Sequence, residues 1–372
     1  MIKVFISGDF APSARLAKQI EEKKYSEVFS ENIRRIIKSA DFSFVNFESP
    51  VAEKGYKPIP KCGPNLRCTP EAAEAVKYAG FTGVTMANNH ILDFGAEGLR
   101  KSVECCRAQK LDIVGVGSNL KEAEKALYLE KDGKTIAVIN CCEHEFSIAT
   151  ETEAGANPLN PVGQFYAIQE AKKKADYVLV IVHGGHEMFQ LPSPRMVETY
   201  RFFIDAGADA VVNHHQHCYS GYETYKGKPI FYGLGNFCFD EEGLRDCSWN
   251  EGYMVELSFS DVITSNIYPY CQYGIKPTIE LLGATAFDNT IAELNQIISD
   301  NNSLRATITE YYKNCKNNEL SRMEPYSGRI LSKLFSLGFL PKFICGQKAI
   351  NILNHVDCEA HRDKLIFALR NE

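Results

Sequence analysis

Short apolar runs that end on polar residues recur along the chain. Ile2 to Ser7 reads as a strand stopping at Gly8-Asp9-Phe10, and Phe42 to Phe47 as a second stopping at Glu48. Such runs are short for helices and rich in β-branched and aromatic residues. Thr82 to Met86 gives a third strand, which runs into Ala87-Asn88-Asn89-His90. Tyr177 to Val182 ends at His183, and Ala208 to Val212 leads into Asn213-His214-His215-Gln216-His217. Between these runs the apolar spacing switches to the helical period. Helices are predicted over Ser13 to Lys23, Glu31 to Ser39, Glu97 to Gln109, Gly163 to Lys174 and from Ser193-Pro194 to Gly207. Thr69-Pro70-Glu71 predicts a helix start with Thr69 as N-cap and Pro70 at the first helical position.

Asp132-Gly133 predicts a tight hairpin between Leu127–Lys131 and Lys134–Asn140, and a second hairpin joins Gly221–Tyr225 to Pro229–Tyr232. Asp112 to Val116, Tyr253 to Phe259, Val262 to Tyr270 and Ile275 to Leu281 complete the expected strands. From about Thr285 the pattern becomes polar and helical. A boundary near Ala284 divides the chain into 1–284 and a helical extension, 285–372. Arg329 to Leu353 is apolar and carries only positive charges. It is expected to form a covering helical hairpin, with contact to a membrane surface or a biosynthetic complex as its other candidate role.

Five strand ends deliver metal-compatible groups: Asp9, Glu48, Asn89-His90, His183 and His215/His217. Loops at strand ends carry the site in layered α/β folds. Alternation along an extended chain aims His215 and His217 at one point and sends His214 away. Two carboxylates, an Asn and several histidines suit a pair of divalent transition ions (Mn, Fe or Zn) with one bridging carboxylate. Such a pair supports phosphoryl displacement. His144 is balanced between loop and pocket, and His355 and His361 are expected to be ordinary surface residues.

The chain has 372 residues, 45% hydrophobic and 24% charged, with a net charge of -6. That is a globular composition, and nothing in it points to nucleic-acid binding. No run approaches the ~20 apolar residues of a membrane span, and Met1 leads directly into a strand rather than a signal peptide. Thirteen cysteines, an odd number, fit reduced thiols in a cytoplasmic location. Cys62 and Cys68 lack zinc-clip spacing, and the pairs Cys105-Cys106 and Cys141-Cys142 are expected to pack.

In order, Gly8-Asp9, Asn46-Phe47-Glu48, Asn88-Asn89-His90-Ile91-Leu92-Asp93-Phe94-Gly95, His183-Gly184-Gly185-His186-Glu187, His214-His215-Gln216-His217 and Leu234-Gly235-Asn236-Phe237 resemble the CapA family. That family is named for capsule and poly-γ-glutamate biosynthesis and is related to the calcineurin-like metallophosphoesterases. The resemblance covers about residues 1 to 260. It implies a four-layer α/β/β/α sandwich with a dinuclear metal site, here followed by the helical extension. It assigns Asp9, Glu48, Asn89, His183, His215 and His217 to metal. His90 is the implied acid or oxyanion stabiliser, oriented by Asp93. Asn88, His186, Glu187, His214 and Asn236 are expected around the substrate, an anionic small molecule or polymer.

Two departures stand out. The related phosphoesterases have Asp-x-His after the first strand, where this chain has Asp9-Phe10-Ala11. Their last motif has Gly before the His pair, where this chain has Asn213. Many members carry an N-terminal membrane anchor, and none is expected here. A metal-dependent hydrolase is the first reading. A non-catalytic accessory protein that binds a polyanion is the second, motivated by the missing His.

Overall fold

The computed structural model describes residues 1–61, 63–274, 276–321, 330–331, 334, 339–341 and 343–370. Two sheets form its centre. The first runs in the order Glu280–Leu281, Thr264–Cys271, Glu251–Phe259, Ile2–Phe10, Phe42–Phe47, Gly83–Thr85, Asp112–Val114, with Asn236–Cys238 also paired to Ile2–Phe10. The second runs Tyr222–Tyr225, Lys228–Phe231, Ala210–His214, Tyr177–His183, Lys134–Cys142, Leu127–Lys131.

Side-chain alternation makes the layers. Ile2, Val4, Ile6 and Phe44 point from the first sheet into one core shared with Val138, Val180, Val182 and Val212 of the second. Phe5, Val45 and Phe47 point the other way and pack on Leu16, Ile20, Ile33, Ile37 and Val76 from helices. Beyond the second sheet, Ile168, Met196, Tyr200 and Phe203 supply the opposite helical layer. The result is a four-layer α/β/β/α sandwich. Each of these fully buried side chains stabilises it by about 1.5–3 kcal/mol.

Ile2–Phe10, Phe42–Phe47, Gly83–Thr85 and Asp112–Val114 are mutually parallel. So are Lys134–Cys142, Tyr177–His183 and Ala210–His214. Their C-terminal ends therefore open on common edges, where the polar residues collect. Gly8 permits the closest approach there: a Cβ would lie 1.9 Å from the Gly235 carbonyl oxygen.

Some expected elements differ. The helix after Thr69 is Glu71–Ala79 with Pro70 at the N-cap, and the Thr69 hydroxyl finds no partner. Of the strand expected from Ile275, Glu280–Leu281 is formed, and Ile275 itself lies outside the described residues. Cys62 and much of the cationic segment, including Arg329, Lys333, Gly338 and Lys342, also lie outside them. The extension contains helices Ala284–Ser299, Asn301–Ser321, Gly346–Asp357 and Glu359–Arg370. Phe287, Ile291, Leu294 and Ile298 of the first join the inter-sheet core cluster. No helix among the described residues is long and apolar enough to cross a membrane.

Candidate metal centre

Strand register brings the first ligands together. Asp9 sits between Asn46 on one neighbouring strand and Asn236 on the other. Asn46 Nδ2 donates to Asp9 Oδ1 at 2.8 Å and lies 3.1 Å from His183 Nδ1, so one amide ties the two sheets' contributions. Asn236 Oδ1 lies 2.9 Å from His217 Nδ1. His183 is in register with His214 on the adjacent strand, at the edge of the second sheet.

His215 and His217 converge by a different route from simple alternation. The strand stops at His214, and both residues adopt left-handed backbone, with φ of 86° and 55°. That conformation is unusual for a non-glycine residue and is held where surrounding structure over-determines it. One tie is the His215 backbone N–H, which donates to Asp9 Oδ2 at 3.2 Å. His214 points away, with Nε2 2.9 Å from the Ser7 carbonyl oxygen.

Two ligand triads form around one carboxylate. Glu48, His183 and His215 make the first, and Asp9, Glu48 and His217 the second. His183 Nε2 lies 3.1 Å from His215 Nδ1, 3.0 Å from Asn89 Oδ1 and 3.6 Å from Glu48 Oε1. Ligand atoms around an ion with bonds of about 2.0–2.2 Å stand about 3.0–3.6 Å apart in octahedral or tetrahedral shells. The distances from His183 to Asn89, His215 and Glu48 are thus those between ligands of one shell. The other triad is looser: His217 Nδ1 lies 3.6 Å from Asp9 Oδ2, and its other ring nitrogen, Nε2, 3.8 Å from Glu48 Oε1. Phe10 and Ala11, where a further ligand would stand, are buried and apolar.

Glu48 provides the fit test for metal. Its side chain is fully buried, and neither carboxylate oxygen has a hydrogen-bond partner among the described residues. Burial raises its carboxyl well above the ordinary value, and the neighbouring Asp9 charge adds to the rise. A buried carboxylate stripped of donors is held either as the neutral acid or against a cation, so the position fits a metal ion. Burial and the adjacent imidazoles hold His183 well below its usual range, so it is a neutral, ligand-ready base.

Beside the triads, His90 Nδ1 lies 2.7 Å from Asp93 Oδ2. Lys61 Nζ approaches Asp93 Oδ1 at 2.5 Å and His90 Nδ1 at 2.9 Å. Burial, with help from the Lys61 charge, lowers the His90 pKa to about 4. The imidazole is therefore neutral at neutral pH. A cavity of about 440 Å³ adjoins the centre, lined on the sandwich side by Lys61, Asn89, His90, Glu145 and Glu187. The helical extension closes its other side with Asn354, His355, His361 and Lys364.

The structure brings together Asp9, Glu48, Asn89, His183, His215 and His217, with His90–Asp93 alongside. Four expected substrate positions make other contacts in the fold. Asn88 is fully buried and spends its side chain on Asn46, Phe47 and the His90 backbone. His214 binds Ser7, and Asn236 supports His217 and Trp249. His186 is buried, with Nε2 2.9 Å from the Tyr312 hydroxyl of the extension. None of the four lines the cavity, whereas Glu187 does.

His355 and His361 are corrected: His355 is only 4% exposed, and both face the cavity. Among the residues gathered here, Lys61 and Glu145 carried no usable sequence signal, and Asn46 stood in a quoted motif with no role assigned to it. Lys61 lies in a Pro/Gly-bearing loop, and its partners come from Asp93 and His90.

Four layers, with carboxylates, an asparagine and histidines gathered over one shared carboxylate, define a protein of metallophosphoesterase-like architecture. The chain belongs to the family of bacterial capsule synthesis proteins, PGA_cap, whose model matches residues 3–241. It is 34% identical to the capsule biosynthesis protein CapA of Bacillus anthracis over 239 residues, 62% of this chain and 58% of that one. It is 35% identical to the PGA biosynthesis protein CapA of Bacillus subtilis over 235 residues, 62% of each. The chain thus matches about three fifths of the length of these relatives. Similar solved structures include a phosphatase from Mycoplasma pneumoniae (TM-score 0.37, 17% identity, covering 76% of this chain and 92% of that one). Another is a 5'-nucleotidase from Candida albicans (TM-score 0.42, 12% identity, 72% and 50%).

Proposed function

We propose that the chain is a metal-dependent hydrolase acting on a phosphoester, or on an anionic polymer of capsule or polyglutamate assembly. The observation that carries this reading is Glu48: a buried carboxylate without a donor among the described residues, shared by two ligand triads. Glu48, Asn89, His183 and His215 would hold one divalent ion, and Asp9, Glu48 and His217 a second. Such ions supply Lewis acidity and a water acidified toward neutrality.

The chain's own groups do the rest. Asp93 accepts the Nδ1–H of His90 and fixes the ring, and Lys61 pins Asp93 from the other side. This leaves Nε2 of a neutral imidazole free to accept a proton and return it. Lys61, already paired with Asp93, and Lys364 stand on opposite walls of a cavity that Glu145 and Glu187 also line, and Lys364 is the cation there placed to meet a phosphate or carboxylate of the substrate.

The second reading is an accessory protein that binds a polyanion without cleaving it. Phe10 and Ala11 favour it, because they leave the Asp9 triad one ligand short. The test is the full chain, loaded with Mn²⁺ or Zn²⁺, assayed on bis-p-nitrophenyl phosphate and on poly-γ-glutamate. Metal-dependent turnover that His215→Ala abolishes without unfolding supports the hydrolase. A metal-free, inactive protein whose His215→Ala variant is unchanged in stability overturns it. Tight polyglutamate binding without turnover selects the accessory reading.

A further inference from the structure

A second group of ligand-type side chains lies where the extension meets the sandwich, and the centre at Glu48 does not use it. Glu145 comes from the loop after Lys134–Cys142. Cys358 and His361 come from the start of the last helix, Glu359–Arg370. One carboxylate oxygen, the thiol sulfur and one imidazole nitrogen all lie within 4.8 Å of one another. Glu145 Oε1 and His361 Nδ1 are 3.5 Å apart.

Asn354 adds a fourth group. Its Nδ2 lies 2.9 Å from His361 Nδ1 and 3.2 Å from Glu145 Oε1, while its Oδ1 is buried with no partner among the described residues. Turning the amide by 180° exchanges the two atoms. The carbonyl oxygen then stands at the vertex where the amide nitrogen was. Of the three spacings, 3.5 Å lies within the edges of about 3.3–3.6 Å expected for a tetrahedral shell with bonds of about 2.0–2.2 Å, and 2.9 and 3.2 Å fall a few tenths of an ångström short of them.

We propose that Glu145, Cys358, His361 and the turned amide of Asn354 form a separate divalent-metal site, of zinc type, that clips the C-terminal helices onto the sandwich. One thiolate, one imidazole and oxygen donors suit zinc better than magnesium or calcium. Burial and the nearby Glu145 and Glu143 charges push the Cys358 thiol well above its ordinary value, so it releases its proton to solvent only as the metal binds.

The position fits a clip. Around it the extension is held by polar ties: His144 to Glu359, Arg195 to Asp363, and Gln347 to the Lys61 carbonyl oxygen. Glu145 Oε2 also accepts from Asn89 Nδ2 at 2.7 Å, so the clip's carboxylate steadies a side chain of the first centre. This inference stands without the hydrolase reading.

Co²⁺ titration of the full chain tests it, because the groups of the first centre include no thiol. The expected result is a thiolate-to-cobalt charge-transfer band, lost in Cys358→Ser and kept in His215→Ala. Zinc content should fall by one equivalent in Cys358→Ser. Glu145→Gln keeps the sulfur and is expected to weaken cobalt binding at the band by at least tenfold; it serves where Cys358→Ser fails to fold. A folded wild-type chain without the band, a band that survives Cys358→Ser, or unchanged affinity in Glu145→Gln would overturn the proposal.

Discussion

Replacing Glu48 by Gln separates the two things its carboxylate does. The side chain is fully buried, its oxygens lack donors among the described residues, and Asp9 lies close by. In chelator the charge is a liability, since an uncompensated buried carboxylate costs several kcal/mol or takes up a proton instead. Its folded pKa lies above the unfolded value, so the folded state holds a proton that the unfolded state releases. Stability from this group is therefore greatest at acid pH and falls as pH rises from about 4.5, by at most ~1.4 kcal/mol per pH unit. Glu48→Gln is isosteric and uncharged, and removes that slope. With chelator at pH 7.5 the variant should melt at or above the wild-type temperature. With metal at a hundredfold its Kd, wild type should gain about 2.7 kcal/mol, roughly 3–4 °C in Tm for a chain of 372 residues, and the variant should gain little. Differential scanning calorimetry with and without metal reads both effects. The reasoning is refuted if the chelated variant is less stable than wild type by more than ~2 kcal/mol while metal stabilises the two equally.

Other predictions follow from named contacts. Asn46→Ala removes the amide that joins Asp9 to His183 and should weaken metal binding about 10–100-fold, read by competition with a chromophoric chelator. On the hydrolase reading, His90→Ala should lower kcat about 10²–10⁴-fold with metal content unchanged, while Asp93→Asn should disturb kcat with little effect on KM. Unchanged kcat in both would remove His90 from the chemistry. His144 hydrogen-bonds Glu359 at 2.5 Å, which raises its pKa above 6.5. The stability this adds is complete below about pH 6.5 and lost as pH rises through the folded pKa. It is worth at most ~1 kcal/mol, because the His144 side chain is partly exposed. Limited proteolysis should cut the C-terminal helices faster at pH 8.5 than at pH 6, and His144→Ala should flatten that difference.

The layered architecture was legible because apolar alternation and abrupt polar strand ends are local signals. Asp9, Glu48, Asn89 and His183 were each visible as the residue where a strand stops. The means by which His215 and His217 converge was not legible, since it depends on left-handed backbone held by Asp9 from another sheet. Asn88, His214 and Asn236 looked like substrate contacts because they sit in the motifs. In the fold they hold the loops that present the ligands. The cavity's far wall was hidden for a different reason. His144 and Glu359 lie 215 positions apart, and no local period announces such a contact. The same distance in sequence made His355 and His361 look like surface residues of a polar helix.

The central claim is that Glu48 is held between divalent ions. Anomalous diffraction from crystals grown with Mn²⁺ or Zn²⁺ tests it directly. The account predicts two peaks about 3.5–4 Å apart, both in contact with the Glu48 carboxylate, the stronger one flanked by Asn89, His183 and His215. Crystals with full metal elsewhere and no peak within bonding distance of Glu48 would contradict it.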